Sequence, residues 1–352
     1  MHEDSRNWNY HQTMAIGAAK RFREEAIRAW RELTGGAEVR DLARPTLVAV
    51  SGGADSSALL ISLAEVAGAR IVAATIGHGL RPAEEDLADI ESVRALSAEL
   101  GVRCIARPIS VDRLTNLEAS ARLGRYDALV DLAQETGCRY IATGHHGGDQ
   151  LETMLMNLTR GSALCGLAGM SPSRPLGGGV DLIRPMLGLT RDACEQICGA
   201  FGYRSRHDAT NDDLTRRRAW LRDVVMPMVR SSPGLPARLA SASALLLEAQ
   251  GLVAARAEVL MCSAEHSAGM VMMPLGRLSG ETGLVVGEVL RALADSIEPD
   301  GGDHRGWKHL EPIVAAIRSG DGVQRRFDLF RVRVVVEKEG VTLRRLAAGD
   351  QT

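Results

Sequence analysis

Lysine is almost missing from this chain. Of its 42 basic residues three are lysines, Lys20, Lys308 and Lys338, and the remaining 39 are arginines. The ordinary reading of the bias itself is a GC-rich genome. Its consequence is chemical: from Arg21 to Trp307 there is no lysine at all, which excludes a Walker A loop (G-x-x-x-x-G-K-S/T) over the main body. Paired cysteines are missing too. Cys104, Cys138, Cys165, Cys194, Cys198 and Cys262 form no C-x-x-C motif, so neither a disulfide framework, an iron–sulfur cluster nor a zinc site is expected. Cys194 and Cys198, four apart on an expected helix, could touch but read more readily as half-buried core thiols. No apolar run approaches the roughly 20 residues of a membrane span. Met1 to Tyr10 hold no apolar leader segment, so the cytoplasm is the expected compartment and no membrane partner is expected. Excess charge of one sign is also absent, with 42 basic against 44 acidic residues for a net −2.

What is present is enough to build a core. The 352 residues are 45% hydrophobic and 24% charged, and at about 150 residues per domain they predict two or three domains. A helical pattern over 14–33 (Ile16, Phe22, Ala26, Trp30, Leu33) stops at Gly35-Gly36. Apolar strands are expected at 46–50, 70–76, 103–109 and 139–143, with helices at about 55–67, 83–100 and 117–136 between them. Strands alternating with helices of that length predict a doubly wound, mostly parallel α/β sheet covered on both faces. After a helix at 149–159, residues 161–189 read as a loop-rich connection, followed by helices at 190–202 and 216–230. Ser231 to Pro236 is the expected linker, 237–261 a long helix, and 325–337 with 341–346 a hairpin turning at Glu339-Gly340. The expected division is therefore a helical extension (1–44), an α/β domain (45–230) and a smaller helical domain ending in a hairpin (231–352).

The sharpest local feature is Ser51-Gly52-Gly53-Ala54-Asp55-Ser56-Ser57, between the first strand and its helix. Two glycines allow a tight turn that aims backbone N–H groups at an anion, and the helix N-terminus adds positive potential. Asp55 would repel a phosphate unless Mg²⁺ bridges the two. An ordinary strand–turn–helix with Asp55 or Ser56 as cap stays open. The second strand ends in Gly77-His78-Gly79-Leu80-Arg81, and the fourth in Gly144-His145-His146-Gly147-Gly148-Asp149-Gln150-Leu151-Glu152. Both clusters are delivered to the carboxyl edge of the sheet, where open α/β sheets bind ligands. The spacing of His145, Asp149 and Glu152 predicts that one helix presents them together. Glu118 and Arg122 are an i,i+4 pair, which alone reads as a surface ion pair. Residues 204–230 hold seven Arg against four Asp, and 318–345 eight basic against four acidic residues. Two basic segments suited to a phosphodiester backbone thus hide inside the near-neutral total.

In order along the chain stand S-G-G-A-D-S (51–56), H-x-L-R (78–81), N-L-E-A-x-A-R-x-x-R-Y (116–126) and H-H-x-x-D-x-x-E-T (145–153). Arg160-Gly161-Ser162, Gly166 to Met170, Arg184-Pro185 and the D-x-x-N-x-D of 208–213, leading to Arg218 and Arg222, complete the series. Over about residues 46–230 it resembles tRNA(Ile)-lysidine synthetase, of the PP-loop ATP pyrophosphatase superfamily with its adenine-nucleotide α-hydrolase-like fold. The resemblance implies an enzyme that adenylates the wobble cytidine of tRNA(Ile) with a CAU anticodon and replaces AMP by the ε-amine of free L-lysine. ATP and Mg²⁺ are the implied cofactors, with the metal on Asp55. The implied nucleotide contacts are Ser51, Gly52, Gly53, Ala54, Asp55, Ser56, His78 and Arg81. Asp55, His145, Asp149 and Arg218 take the implied catalytic roles, and Glu118, Arg122, Glu152, Arg160 and Arg222 the substrate-binding ones. A homodimer stays open. The chain departs from the family pattern at Gly77, Gly148, Ala163 and Ala219. A tRNA thiolase, a weakened tRNA-binding PP-loop protein and an amide-forming ligase are the alternatives. The first needs the paired cysteines this chain lacks.

Overall fold

In a computed structural model the described residues are 3–77, 83–109, 117–162, 164–204, 225, 227–232, 234–267, 269–299 and 306–346. They form two compact units, Met1–Glu152 with Met170–Ser241, and Thr153–Gly169 with Ala242–Thr352. Among them no helix is long and apolar enough to cross a membrane.

The first unit begins with helix α1 (Glu3–Leu33) and then alternates strand and helix: β1 (Thr46–Ala49), α2 (Ala54–Ala64), β2 (Ile71–Gly77), α3 (Ala83–Glu99), β3 (Arg103–Pro108), α4 (Leu117–Thr136), β4 (Tyr140–Thr143) and α5 (Gly147–Thr159). The six-stranded sheet runs β3-β2-β1-β4-β6-β5, with β5 (Ser173–Gly177) and β6 (Val180–Ile183) drawn from the segment expected to be loop. β6 pairs parallel to β4, and only β5 runs antiparallel, on the edge. The short length of both strands and the Pro175–Gly177 irregularity between them hide the pattern from the sequence. The chain moves outward from β1 to β3 and returns on the other side of β1 at β4. The topological switch point therefore lies between β1 and β4, where such sheets open a crevice.

Both faces are covered, as the continuous apolar strands require. Leu47 packs with Leu129, Leu132 and Ile141 on one side, while its neighbour Val48 packs with Leu59, Trp30 and Ile197 on the other. α2 is buried at nearly every position, which makes it the central helix of that second layer. It lies against α1 and α7 (Arg191–Phe201, which follows the short α6, Leu164–Leu167, along the chain); the ends of α7 are set by Thr190 accepting from the Ala193 N–H and by Gly202 in the left-handed region. α1 is part of this core. The Trp30 indole N–H donates to Thr46 Oγ1 at 3.0 Å, and the buried Arg44 guanidinium donates to the carbonyls of Arg31 and Val39, both at 2.6 Å.

The second unit holds a second sheet as well as helices. α8 (Leu235–Met261) enters it, followed by β7 (Glu265–Ser267), β8 (Met270–Pro274), α9 (Leu275–Leu278), α10 (Gly283–Ile297) and α11 (Trp307–Ser319). The expected C-terminal hairpin exists, as part of a five-stranded antiparallel sheet ordered β7-β8-β11-β10-β9. The stretch 325–337 is two strands, β9 (Arg325–Leu329) and β10 (Val332–Val336), with β11 (Gly340–Arg345) after them. They turn at Phe330-Arg331, with Phe330 at φ 57, a tight turn carrying none of the Gly, Asn or Asp residues that normally announce one.

Candidate functional site

The loop after β1 is a turn with an uncovered helix end. Gly52 takes φ 85, which an L side chain rarely adopts, and Gly53 caps α2 without any side-chain hydrogen bond. Neither Asp55 nor Ser56 is the cap. Ser56 instead folds back, its hydroxyl accepting from the Ser51 N–H at 3.1 Å and lying 3.2 Å from Ser51 Oγ. The start of α2 thus carries no side-chain cap and has two hydroxyls beside it, the arrangement that holds a phosphate. The loop is braced from behind: the Tyr203 hydroxyl donates to the Gly52 carbonyl at 3.3 Å and lies 3.0 Å from Ser92 Oγ on α3.

β4 brings the other half. Its exit residue Gly144 passes so close to α2 that a Cβ there would lie 2.7 Å from the Asp55 carbonyl group and the Ser56 nitrogen. α5 then opens with a reciprocal cap. His146 Nδ1 accepts from the N–H groups of Gly148 (3.0 Å) and Asp149 (3.4 Å), and the His146 N–H donates back to Asp149 Oδ2 at 2.9 Å. With Nδ1 accepting, the ring proton is on Nε2, which faces Asp149 Oδ2 at 3.6 Å and Asp55 Oδ2 at 3.8 Å. His146 therefore ties the two carboxylates together. In the sequence His146 stands beside His145 in the H-H-x-x-D motif and carries no assigned role. Its H-x-x-D spacing at a helix start was the usable signal.

Asp55 is a partly buried carboxylate at the head of α2. Burial raises its pKa, and the nearby His146 and Arg191 only partly offset that. Its Oδ1 is buried without a hydrogen-bond partner among the described residues. Behind it stand the two cysteines of α7, both buried more completely than the half-burial expected of them. Burial and the Asp55 charge push Cys194 well above its ordinary value and Cys198 up to about 12, so both stay thiols.

His145 precedes α5 instead of sharing its face. Its Nδ1 lies 2.9 Å from Thr143 Oγ1. Burial lowers its pKa to about 4; Asp149 works against that, and Arg184, Arg122 and Arg125 work with it. Those arginines form the basic side of the site. The guanidinium carbons of Arg122, Arg125 and Arg174 lie 5.5, 5.8 and 5.2 Å from the Tyr126 ring centroid. Burial works to raise the Tyr126 phenol, and these three with Arg184 outweigh it, leaving it below its ordinary value. Arg174 stands on β5, a strand the sequence does not announce, and Arg184, which the sequence marks only within Arg184-Pro185 and without a role, directly follows β6.

The remaining expected site residues are spread out. Glu152 is buried one turn beyond Asp149 on α5. Glu118 lies in the first turn of α4, and Arg160 is exposed in the turn after α5, within the second unit. His78, Arg81, Arg218 and Arg222 lie outside the described residues, as do Ala163, Ala219 and most of the helix expected at 216–230.

The PP-loop domain family matches residues 26–229 of this chain. A tRNA(Ile)-lysidine synthase of Methylobacterium sp. (strain 4-46) is 37% identical over 278 residues, covering 77% of this chain and 78% of that one. The tRNA(Ile)-lysidine synthase of Novosphingobium aromaticivorans is 36% identical over 235 residues, 66% of this chain and 67% of that one. Among solved structures, the U34-tRNA thiolase NcsA of Methanococcus maripaludis, with its 4Fe-4S cluster, is similar at TM-score 0.50. At 18% identity over 65% of this chain and 80% of that chain, this likeness speaks for the fold alone. The chain, with a PP-loop domain over residues 26–229, belongs to the tRNA(Ile)-lysidine synthase family.

Proposed function

We propose that this enzyme makes lysidine. It transfers AMP from ATP to the C2 oxygen of the wobble cytidine in tRNA(Ile) with a CAU anticodon, releasing pyrophosphate; the ε-amine of free L-lysine then forms the C2–N bond as AMP leaves. The observation that carries this reading is the meeting of two unlike half-sites at the β1/β4 switch point. One is a glycine-turned anion cradle, the other a carboxylate–imidazole cluster.

Ser51, Gly52, Gly53, Ala54 and Ser56 receive the phosphates, with His78 and Arg81 as further nucleotide contacts. Asp55 suits Mg²⁺: its buried Oδ1 has no hydrogen-bond partner among the described residues, and its charge is held at a cost in burial. Among the described residues no group of three or more His, Cys, Asp or Glu forms an all-protein cage. That is the donor pattern of an ion held by one or two carboxylates together with phosphates. When bound, Mg²⁺ supplies charge neutralisation for the departing pyrophosphate. Asp149 and Glu152 receive the lysine ammonium, while His145, neutral at pH 7, has a lone pair for the proton that the attacking amine sheds. Glu118, Arg122, Arg160, Arg218 and Arg222 hold the RNA and the adenylate. In this reading residues 45–230 carry both half-reactions, 1–44 buttress them, 231–352 contact tRNA, and the protein works in the cytoplasm. The thiols behind Asp55 offer no thiolate for sulfur transfer. A homodimer is tested by sedimentation equilibrium.

The deciding assay supplies purified protein with ATP, Mg²⁺, labelled lysine and a tRNA(Ile) transcript bearing CAU. Label is expected in the RNA with one AMP formed per lysine. No label, under conditions where a related synthase incorporates it, overturns the proposal.

A further inference from the structure

In the second unit, a cleft of about 480 Å³ is lined by Gly283 of α10 and by Trp307, Glu311, Arg318 and Ser319 of α11, among others. The indole is held there by glycines. A Cβ at Gly287 would lie 2.9 Å from Trp307 Cζ3 and one at Gly283 3.6 Å from Cη2, so two glycines one helical turn apart make a slot for its benzo edge. Trp307 remains half-buried, with part of its surface on the cleft. Arg318 reaches the same place, its Nη1 3.8 Å from the Cβ position of Gly283. That glycine is the first residue of α10, where the helix dipole is also positive. Two positive potentials gather there, and among the described residues no ion pair joins Arg318 to any carboxylate, Glu311 included. Glu311 makes the cleft a poor seat for a bare anion. It suits a ligand that carries both a phosphate and an exocyclic amine, which a carboxylate accepts from.

We propose that this cleft is an RNA subsite that takes one unpaired, amine-bearing nucleotide of the tRNA, its base stacked on Trp307 and its phosphate against Arg318. Stacking on an exposed aromatic is how proteins hold unpaired bases, with an arginine beside it for the backbone. The basic balance of the flanking segment, eight basic against four acidic residues over 318–345, has the sign this partner demands. The inference rests on tRNA being the substrate, and it concerns a place that no residue of the proposed chemistry occupies.

The test is fluorescence anisotropy of a labelled tRNA(Ile) transcript bearing CAU, titrated with the full-length protein across a salt series. Trp307→Leu is expected to weaken binding about 5- to 100-fold, the range of one lost base stack, while Trp307→Phe retains most of the affinity. Arg318→Gln is expected to weaken binding and to reduce the slope of log affinity against log salt by about one. ATP binding, followed by calorimetry, stays at the wild-type value in all three. Wild-type affinity and salt slope in the Leu and Gln variants overturn the subsite. So does equal loss in the Phe and Leu variants with an unchanged slope in Arg318→Gln, which is the pattern of a packing role alone. If circular dichroism shows Trp307→Leu unfolded, the Phe and Gln variants decide between the same outcomes. A wild-type protein that binds ATP but not this tRNA refutes the lysidine reading, and the subsite with it.

Discussion

Gly144→Ala is the perturbation that addresses the site most directly, because it adds one methyl group and touches no functional side chain. The methyl would stand 2.7 Å from Asp55 C, Asp55 O and Ser56 N, against an ordinary contact of 3.4 Å or more. The gap between β4 and the first turn of α2 must therefore open by about 0.7 Å, the difference of those two distances. The obstructing atoms are backbone, and α2 is buried along nearly its whole length, so neither side yields cheaply. Overpacking of that kind costs about 1–3 kcal/mol of stability. The larger effect falls on catalysis, because the opening separates the anion cradle from the His146–Asp149 cap. A misplacement near 1 Å costs on the order of 100-fold in rate. Urea unfolding and pyrophosphate release, measured on the same preparations at a temperature where the variant is fully folded, separate the two effects. The expectation is a modestly lowered midpoint with a rate loss far larger than the unfolded fraction explains. A Gly144→Ala protein with wild-type pyrophosphate release refutes the argument that this close approach sets the geometry.

Asp55→Asn is expected to abolish pyrophosphate release and yet raise the urea midpoint of the metal-free protein at pH 8. A carboxyl whose folded pKa is raised costs stability above its unfolded value, so the gap between variant and wild type should close on acidification, as the wild-type group takes up its proton; a gap that stays constant with pH refutes this. Tyr203→Phe removes the hydroxyl that donates to the Gly52 carbonyl, a bond worth about 1 kcal/mol. A rise of about fivefold in the KM for ATP with an unchanged kcat is expected, and a pure loss of thermal stability with unaltered kinetics would argue that Tyr203 serves packing alone. Iodoacetamide at pH 8 should alkylate the exposed Cys262 in the native protein and leave Cys194 and Cys198 unmodified until denaturant is added. Rapid native labelling of either, read by peptide mass spectrometry, would mean that α7 does not seal the site.

The parallel core was legible because its signals are local and repeated. β1 to β4 and α2 to α5 all appear near their expected places, since apolar strand runs and helix-length spacers each carry their own period. β5 and β6 were not legible: a strand of four or five residues beside Pro and Gly earns its place from a neighbour's hydrogen bonds. That omission reached the site: Arg174 stands on β5 and Arg184 directly follows β6, and both bear on Tyr126. The Ser-Gly-Gly loop was readable from its glycines. The role of His146 was not, because it depends on where α5 starts: a helix beginning two residues later would have put His146 beyond reach of the Gly148 and Asp149 N–H groups.

The scarcity of lysine takes on a second meaning beside this geometry. The site has an acidic side, with Asp55, Asp149 and Glu152, and a basic side built entirely of arginine, and His145 responds to both. On the proposed chemistry the acidic side must select a free lysine ammonium, and the adenylated base must meet an amine nucleophile. A lysine side chain on the basic side would be a permanent competitor for both, tethered at an effective concentration no free amino acid matches. Arginine supplies the same charge to phosphate, stays protonated at any working pH and carries no nucleophilic amine. A catalytic unit without lysine from Arg21 through the end of its PP-loop domain can therefore bind polyanions and discharge an activated base onto an incoming amine without offering one of its own.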